Sequence, residues 1–148
     1  MCSSDLKDAK LVTADASALT LGNISAAATG GDAAKLAELL DRATGEGIGA
    51  IEILRTLQYR LQQLHLVRGL MDEGVSLQDA LAKLRPPLFF RDKDIFVSQV
   101  RQWPANRLSA ALKLAVRAEA ACKRTGAPDF TIASKACAAV SQMKGKPL

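Results

Sequence analysis

The chain has 148 residues, enough for one domain with a core of its own, and its apolar share is 49 %. Aromatic residues supply only 4 %, and alanine and leucine supply most of the rest. Because alanine and leucine are strong helix formers, the composition predicts an all-α domain. No run approaches the roughly 20 apolar residues of a membrane span, and the N-terminal MCSSDLKDAK lacks the apolar region of a secretory signal. We therefore expect a cytoplasmic protein without membrane contact.

The positive charge of the chain is concentrated toward its C-terminus. Residues 1–100 carry 11 Lys and Arg against 13 Asp and Glu, whereas residues 101–148 carry 9 against 2. An asymmetry of this kind between two parts of a chain indicates an anionic partner, of which nucleic acid is the obvious example.

The pattern of apolar residues, caps and helix-ending glycines predicts a bundle of seven or eight helices joined by short loops, with no strand. The expected helices cover residues 13–22, 24–30, 33–44, 50–73, 76–84, 91–103, 105–124 and 130–143. In this scheme Thr13 caps the first helix, Asp32 the third and Ser76 the fifth. Gly22 and Gly30 end the first two helices.

The expected helix 50–73 has two apolar sides. One stripe is formed by Leu54, Leu57, Leu61, Leu64 and Met71. A second ridge, roughly opposite, is formed by Tyr59, Leu66 and Leu70, with polar residues between the two. A helix with two apolar sides is usually covered on both, so we expect it either to be central in its own bundle or to pack on a partner subunit.

Residues with reactive side chains do not form a recognisable catalytic pattern. The single histidine, His65, has no carboxylate at helical spacing, which favours a histidine on the helix surface. The cysteines Cys2, Cys122 and Cys137 lack CxxC spacing, so we expect reduced thiols packed as small apolar groups. The glycines at 45, 47 and 49 follow a helix, and no phosphate-binding P-loop occurs. No catalytic residue, metal ligand or cofactor is therefore predicted, although a fold that brings His65 or a cysteine to a carboxylate would make the chain a small enzyme.

The expected helix 105–124 carries a basic stripe, formed by Lys113, Arg117 and Arg124. Calculated at 100° per residue, these side chains lie within about 40° of one another, opposite the apolar face. The stripe could contact DNA phosphates, or it could be an ordinary solvated helix face. No aromatic residues alternate with it, so stacking on single-stranded bases is not expected.

Three stretches in order carry a resemblance to a known family: 53-ILRTLQYRLQQLHLVRGLMDEGVSLQDALAKL-84, 86-PPLFFRDKDIFVSQVRQW-103 and 117-RAEAACKRTG-126. They contain an arginine- and glutamine-bearing helix, a glycine followed by SLQDA, a proline–phenylalanine link, and a tryptophan before a long helix that K-x-T-G closes. In order and spacing they resemble the C-terminal part of the bacterial DNA polymerase III delta subunit, over roughly residues 8–145.

The resemblance implies a role in assembly. In that family the delta subunit belongs to the clamp loader, which places the ring-shaped sliding clamp on primed DNA, and its C-terminal helical domain joins those of sister subunits in a collar. Residues 1–22 would then be a remnant of the preceding lid domain, and residues 23–148 the collar domain. The N-terminal clamp-gripping domain is absent from the match, so contact with the sliding clamp is expected only where that domain is present.

The same resemblance implies no ATPase or polymerase chemistry in this chain and no cofactor, since the family's delta subunit is not itself a working ATPase. We expect contacts with other clamp-loader subunits at Arg55, Tyr59 and Gln62. The alternative is a stand-alone basic helical module that binds nucleic acid or acts as an adaptor, with Lys113, Arg117 and Arg124 as its phosphate contacts.

Overall fold

A computed structural model describes residues 2–85 and 92–144, with side chains from residue 16 onward. In these ranges the chain forms seven α-helices and no strand, which confirms the predicted all-α bundle. The helices are α1 (Cys2–Gly30), α2 (Ala33–Gly45), α3 (Ala50–Asp72), α4 (Leu77–Ala82), α5 (Lys93–Gln102), α6 (Ala105–Cys122) and α7 (Asp129–Met143). The proline–phenylalanine link at residues 86–90 lies outside the described residues.

The prediction of two short helices in residues 13–30 is wrong, because α1 runs through this region without a break. Thr13 lies inside the helix rather than at its start, and Gly22 does not adopt a positive φ. The residues that follow it, Ile24, Ala27 and Ala28, are buried where α1 packs against α2 and α3. Burial of this face outweighs the low helix propensity of glycine, which is worth about 1 kcal/mol.

The end of α1 falls where the sequence predicts it, at Gly30, and it forms a Schellman motif. Gly31 has a φ of 77°, its N–H donates to the carbonyl of Ala28 (3.3 Å), and the N–H of Asp32 donates to the carbonyl of Ala27 (3.1 Å). A positive φ costs glycine little, which explains the glycine at this turn.

Two side chains from distant parts of the chain complete this helix end. The indole N–H of Trp103 donates to the carbonyl of Thr29 (2.8 Å), and the Nζ of Lys144 donates to the carbonyl of Gly30 (2.6 Å). The last four carbonyls of a helix lack partners within the helix. In α1 all four are satisfied, so its C-terminal end is held against α5 and α7.

The helix α3 is at the centre of the bundle and packs against α1, α4, α5, α6 and α7. Its leucine stripe is buried, as predicted, at Leu54, Leu57, Leu61 and Leu64. A second, smaller apolar cluster joins the start of α3 to α6 and α7 through Ala50, Leu54, Ala118, Cys122, Ala133 and Ala136. All the other helices except α2 therefore pack directly on α3.

Local signals explain the shorter elements. The carboxylate of Asp32 accepts from the N–H of Lys35 (3.1 Å), and the hydroxyl of Ser76 accepts from the N–H of Asp79 (3.2 Å). Both are the predicted N-caps. The helix α6 ends at Cys122, two residues earlier than predicted, so Arg124 lies beyond it. Across the described ranges, no helix has the length and apolar character that crossing a membrane requires.

Candidate functional site

The predicted contact residues of α3 share one exposed face. Arg55, Tyr59 and Gln62 are all exposed, and at 100° per residue they lie, together with Leu66, in an arc of about 60°. Tyr59 is 42 % and Leu66 46 % exposed. The other member of the second ridge, Leu70, is partly buried against the core. The described part of the chain therefore covers the leucine stripe of α3 but leaves Tyr59 and Leu66 open.

Arg55 connects α3 to α6. Its Nε lies 3.2 Å from Oε1 of Glu119, and the same oxygen accepts a hydrogen bond from the side-chain amide of Gln58 (3.3 Å). The other carboxylate oxygen of Glu119, Oε2, lies 3.1 Å from Nζ of Lys123. Lys123 above all, and then Arg55, hold the pKa of the Glu119 carboxyl below its ordinary value, against the opposing effect of its burial. Arg55 remains largely exposed, so it borders the α3 face while contributing to the α3–α6 contact.

A groove of about 470 Å³ lies beside this face, between α1, α3 and α5. Its rim carries one large exposed apolar side chain from each helix: Leu19 (66 % exposed), Tyr59 (42 %) and Ile95 (51 %). Among the described residues, five large apolar side chains are at least 42 % exposed, and three of these five line this groove. A concentration of exposed apolar groups at one opening is typical of an interaction surface. We refer to this feature as the α1/α3/α5 groove.

Small residues of α1 keep the groove open. Ala18, Gly22 and Ala26, spaced four apart on one side of the helix, line it. A β-carbon at Gly22 would meet no atom within 4 Å. A larger side chain at this position would therefore project into the empty space of the groove.

Arg60 supplies a positive charge to the groove lining. This half-buried side chain donates from Nε (3.1 Å) and Nη2 (2.9 Å) to Oε1 of Gln99, and its guanidinium carbon lies 5.0 Å from the ring centroid of Phe96. Burial lowers the pKa of Arg60, and the Asp92 carboxylate partly offsets this effect. Within the described residues, no carboxylate oxygen lies within 4.0 Å of its nitrogens.

Sequence reasoning missed Arg60, and a signal for it was present. At 100° per residue Arg60 falls about 40° from Leu64, beside the buried stripe rather than on the polar strip. The aliphatic part of an arginine next to a buried stripe packs against the core, and its guanidinium then needs a hydrogen-bond acceptor. The acceptor, Gln99, lies 39 residues away on α5, and no local pattern connects the two.

The residues considered for catalysis lie apart from the groove. His65 is exposed on α3, and no hydrogen bond in the described part of the chain joins it to a carboxylate or a cysteine. Cys122 and Cys137 are buried free thiols, as predicted, and burial raises the pKa of Cys137 to about 12. The side chain of Cys2 lies outside the described residues. Among the described side chains, no three His, Cys, Asp or Glu residues come together as metal ligands would.

The basic stripe is exposed but is not one continuous helix face. Lys113 and Arg117 lie on α6, with the exposed Val116 (52 %) to one side of them, while Arg124 lies beyond the helix end. The calculated angle therefore applies to Lys113 and Arg117 only. In the described part of the chain, none of the three forms an ion pair with a carboxylate.

The α1/α3/α5 groove has the composition of a protein-binding surface, with tyrosine, aliphatic and arginine side chains around a depression. Comparisons with known protein families, curated proteins and solved structures find no match to this chain.

Proposed function

We propose that this chain is an assembly subunit that joins other helical proteins through the α1/α3/α5 groove, in the manner of the collar domain of a bacterial clamp loader. The observation that carries the proposal is the meeting of Leu19, Tyr59 and Ile95 at one opening. The ordered resemblance of three stretches to the DNA polymerase III delta subunit supports the same role and suggests the partners, which are sister subunits of the loader in the cytoplasm.

The physical basis of the proposed contact is removal of apolar surface from water. Full burial of a leucine- or isoleucine-sized side chain stabilises by about 1.5–3 kcal/mol. The groove offers two such side chains, Leu19 and Ile95, together with Tyr59, and Leu66 extends the exposed face of α3 beyond the groove. Because α3 packs against five other helices, a partner bound there would contact the central helix of the bundle.

The assembly proposal predicts a stable complex with purified bacterial clamp-loader ATPase subunits. The complex should appear in size-exclusion chromatography with light scattering as a species with the added mass of this chain. Ile95→Asp should weaken it at least about tenfold, because a carboxylate would replace a buried apolar contact. Val116→Asp is a matched control, since Val116 is 52 % and Ile95 51 % exposed, and Val116 lies on α6.

Two results would contradict the assembly proposal. In the first, the chain elutes alone with every combination of loader subunits. In the second, a complex forms, but Ile95→Asp and Val116→Asp affect it equally, which would mean that the groove is not the contact surface.

We propose binding to DNA phosphates as a second candidate function, supported by the exposure of Lys113, Arg117 and Arg124. Changing all three to glutamine should weaken binding to duplex DNA at low salt by at least about tenfold. The slope of log K against log salt should become shallower by about 0.9 for each phosphate that the variant no longer neutralises. Fluorescence anisotropy with a labelled duplex over a salt series measures both quantities.

The control for this experiment carries the same change in charge elsewhere. Arg42, Lys83 and Lys93 are also exposed, and glutamine at these three positions should leave DNA binding nearly unchanged. Equal losses in the two triple variants would show that net charge alone, rather than the basic stripe, governs binding.

A further inference from the structure

We infer that the α1/α3/α5 groove takes an amphipathic helix of a partner protein that places a carboxylate against Arg60. This inference rests on the proposed assembly role and adds the chemistry of the partner segment. Three observations support it: the length of the exposed apolar surface that runs from the groove along α3, the width of the groove, and its charge.

The length of the exposed apolar surface fits a helix. Tyr59 and Leu66 are seven positions apart on α3, which corresponds to about 10 Å, or two turns. Leu19 from α1 and Ile95 from α5 also line the groove. A partner helix with aliphatic residues spaced three and four apart would present a row of similar length.

The width of the groove comes from α1. Helices approach most closely where small residues lie at the contact. Ala18, Gly22 and Ala26 form such a surface, and Gly22 faces empty space. The α1 side of the groove therefore leaves room for a second helix that no described part of this chain fills.

The charge of the groove favours an acidic residue in the partner. The guanidinium of Arg60 is half-buried, and both hydrogen bonds that it makes to described residues go to the neutral oxygen of Gln99. A carboxylate stabilises a cation that is partly withdrawn from water more than a neutral acceptor does, since charge-assisted hydrogen bonds are roughly twice as strong as neutral ones. Arg60 remains within reach from the groove, of which it forms part of the lining.

Asp92 limits the size of this preference. Its exposed carboxylate also lines the groove and favours the charged form of Arg60 from beyond ion-pair distance. Arg60 would attract a partner carboxylate, and Asp92 would repel it more weakly. Asp92→Asn should therefore tighten the binding of an acidic helix, by a few-fold, without filling the groove.

The inference is tested with a displayed library of helical peptides selected against the full chain. Each member has leucines spaced three and four apart and random residues elsewhere. The selected peptides should carry Asp or Glu next to the leucines, and their affinities are then measured by fluorescence anisotropy. In the tightest peptide, exchange of that Glu for Gln should weaken binding about tenfold.

Variants of the chain locate the binding site. Gly22→Leu should weaken peptide binding at least about tenfold by filling the groove, while the melting temperature stays the same or rises, because leucine favours a helix more than glycine. Arg60→Met should remove the preference for Glu over Gln, and Arg60→Lys should retain part of it. Arg68→Met is the matched control, because Arg68 lies on the same helix but is paired with Asp72 (3.3 Å). This variant should change neither the affinity for the peptide nor the preference for Glu over Gln.

The possible results separate this inference from the assembly proposal. Acidic peptides that depend on Gly22 and Arg60 support the inference, even if no loader complex forms, in which case only the assembly proposal fails. Selection that yields no binder, binders without acidic residues, or binders indifferent to Gly22→Leu would overturn the inference. A loader complex sensitive to Ile95→Asp would then still support assembly through the groove.

Discussion

Replacement of Trp103 with alanine should lower the free energy of unfolding by about 3–5 kcal/mol, the largest loss we expect from one substitution. Trp103 is fully buried, and its indole N–H donates to the carbonyl of Thr29 at the end of α1 (2.8 Å). The substitution removes both the packing and the donor. For a protein of this size the melting temperature should fall by roughly 10 °C.

Two further variants separate packing from hydrogen bonding. Trp103→Phe keeps part of the volume but leaves the buried carbonyl of Thr29 without its donor, so it should cost about 1–3 kcal/mol. Val116→Ala, at an exposed position, should stay within about 0.5 kcal/mol of the unchanged chain. Circular dichroism during urea unfolding is the appropriate measurement, because Trp103 is the single tryptophan and its loss removes the main fluorescence signal. An alanine variant as stable as the unchanged chain would contradict the position of Trp103 in the core.

Replacement of Gln99 with leucine should cost about 2–4 kcal/mol, although leucine is the more apolar residue. Gln99 is 3 % exposed; its oxygen accepts twice from Arg60, and its amide donates to the carbonyl of Ala26 (3.2 Å). The leucine variant removes the oxygen that accepts both of these hydrogen bonds from a half-buried guanidinium. Gln99 also determines where Arg60 lies in the groove, so the substitution acts on the candidate site as well as on stability.

A double-mutant cycle tests the pairing of Gln99 with Arg60. When Arg60→Met accompanies Gln99→Leu, more than half of the lost stability should return, because the unpaired guanidinium is then absent. Gln102→Leu is the control on the same helix, at an exposed position, and should change stability by less than about 0.5 kcal/mol. If the two single losses simply add in the double variant, the two side chains are not coupled.

The fold was largely predictable because helix formation depends on local features that the sequence shows directly. The caps at Asp32 and Ser76 and the buried leucine stripe of α3 follow from side-chain chemistry and spacing within a few residues. The prediction fails in α1, where the glycine at position 22 indicates a helix end and the helix continues to Gly30. Its neighbours are buried by other helices, and the energy of that burial does not appear in any local pattern.

The candidate site was predictable in part. Periodicity indicated that Tyr59 and Leu66 form a second apolar ridge on α3, and both are exposed in the described structure. It did not indicate that Leu19 and Ile95 meet Tyr59, since these residues come from helices far apart in the chain. The groove exists only as a consequence of how α1 and α5 pack on α3.

The sequence by itself determined the all-α class, most helix limits and the apolar faces of α3, because each depends on residues at most one or two turns apart. Only the tertiary structure decided which of those faces is covered, and which charged residues are held between helices. Arg60 shows the reason: its burial and its two hydrogen bonds depend on Gln99, 39 residues away, so its place in the groove is a property of the packed bundle.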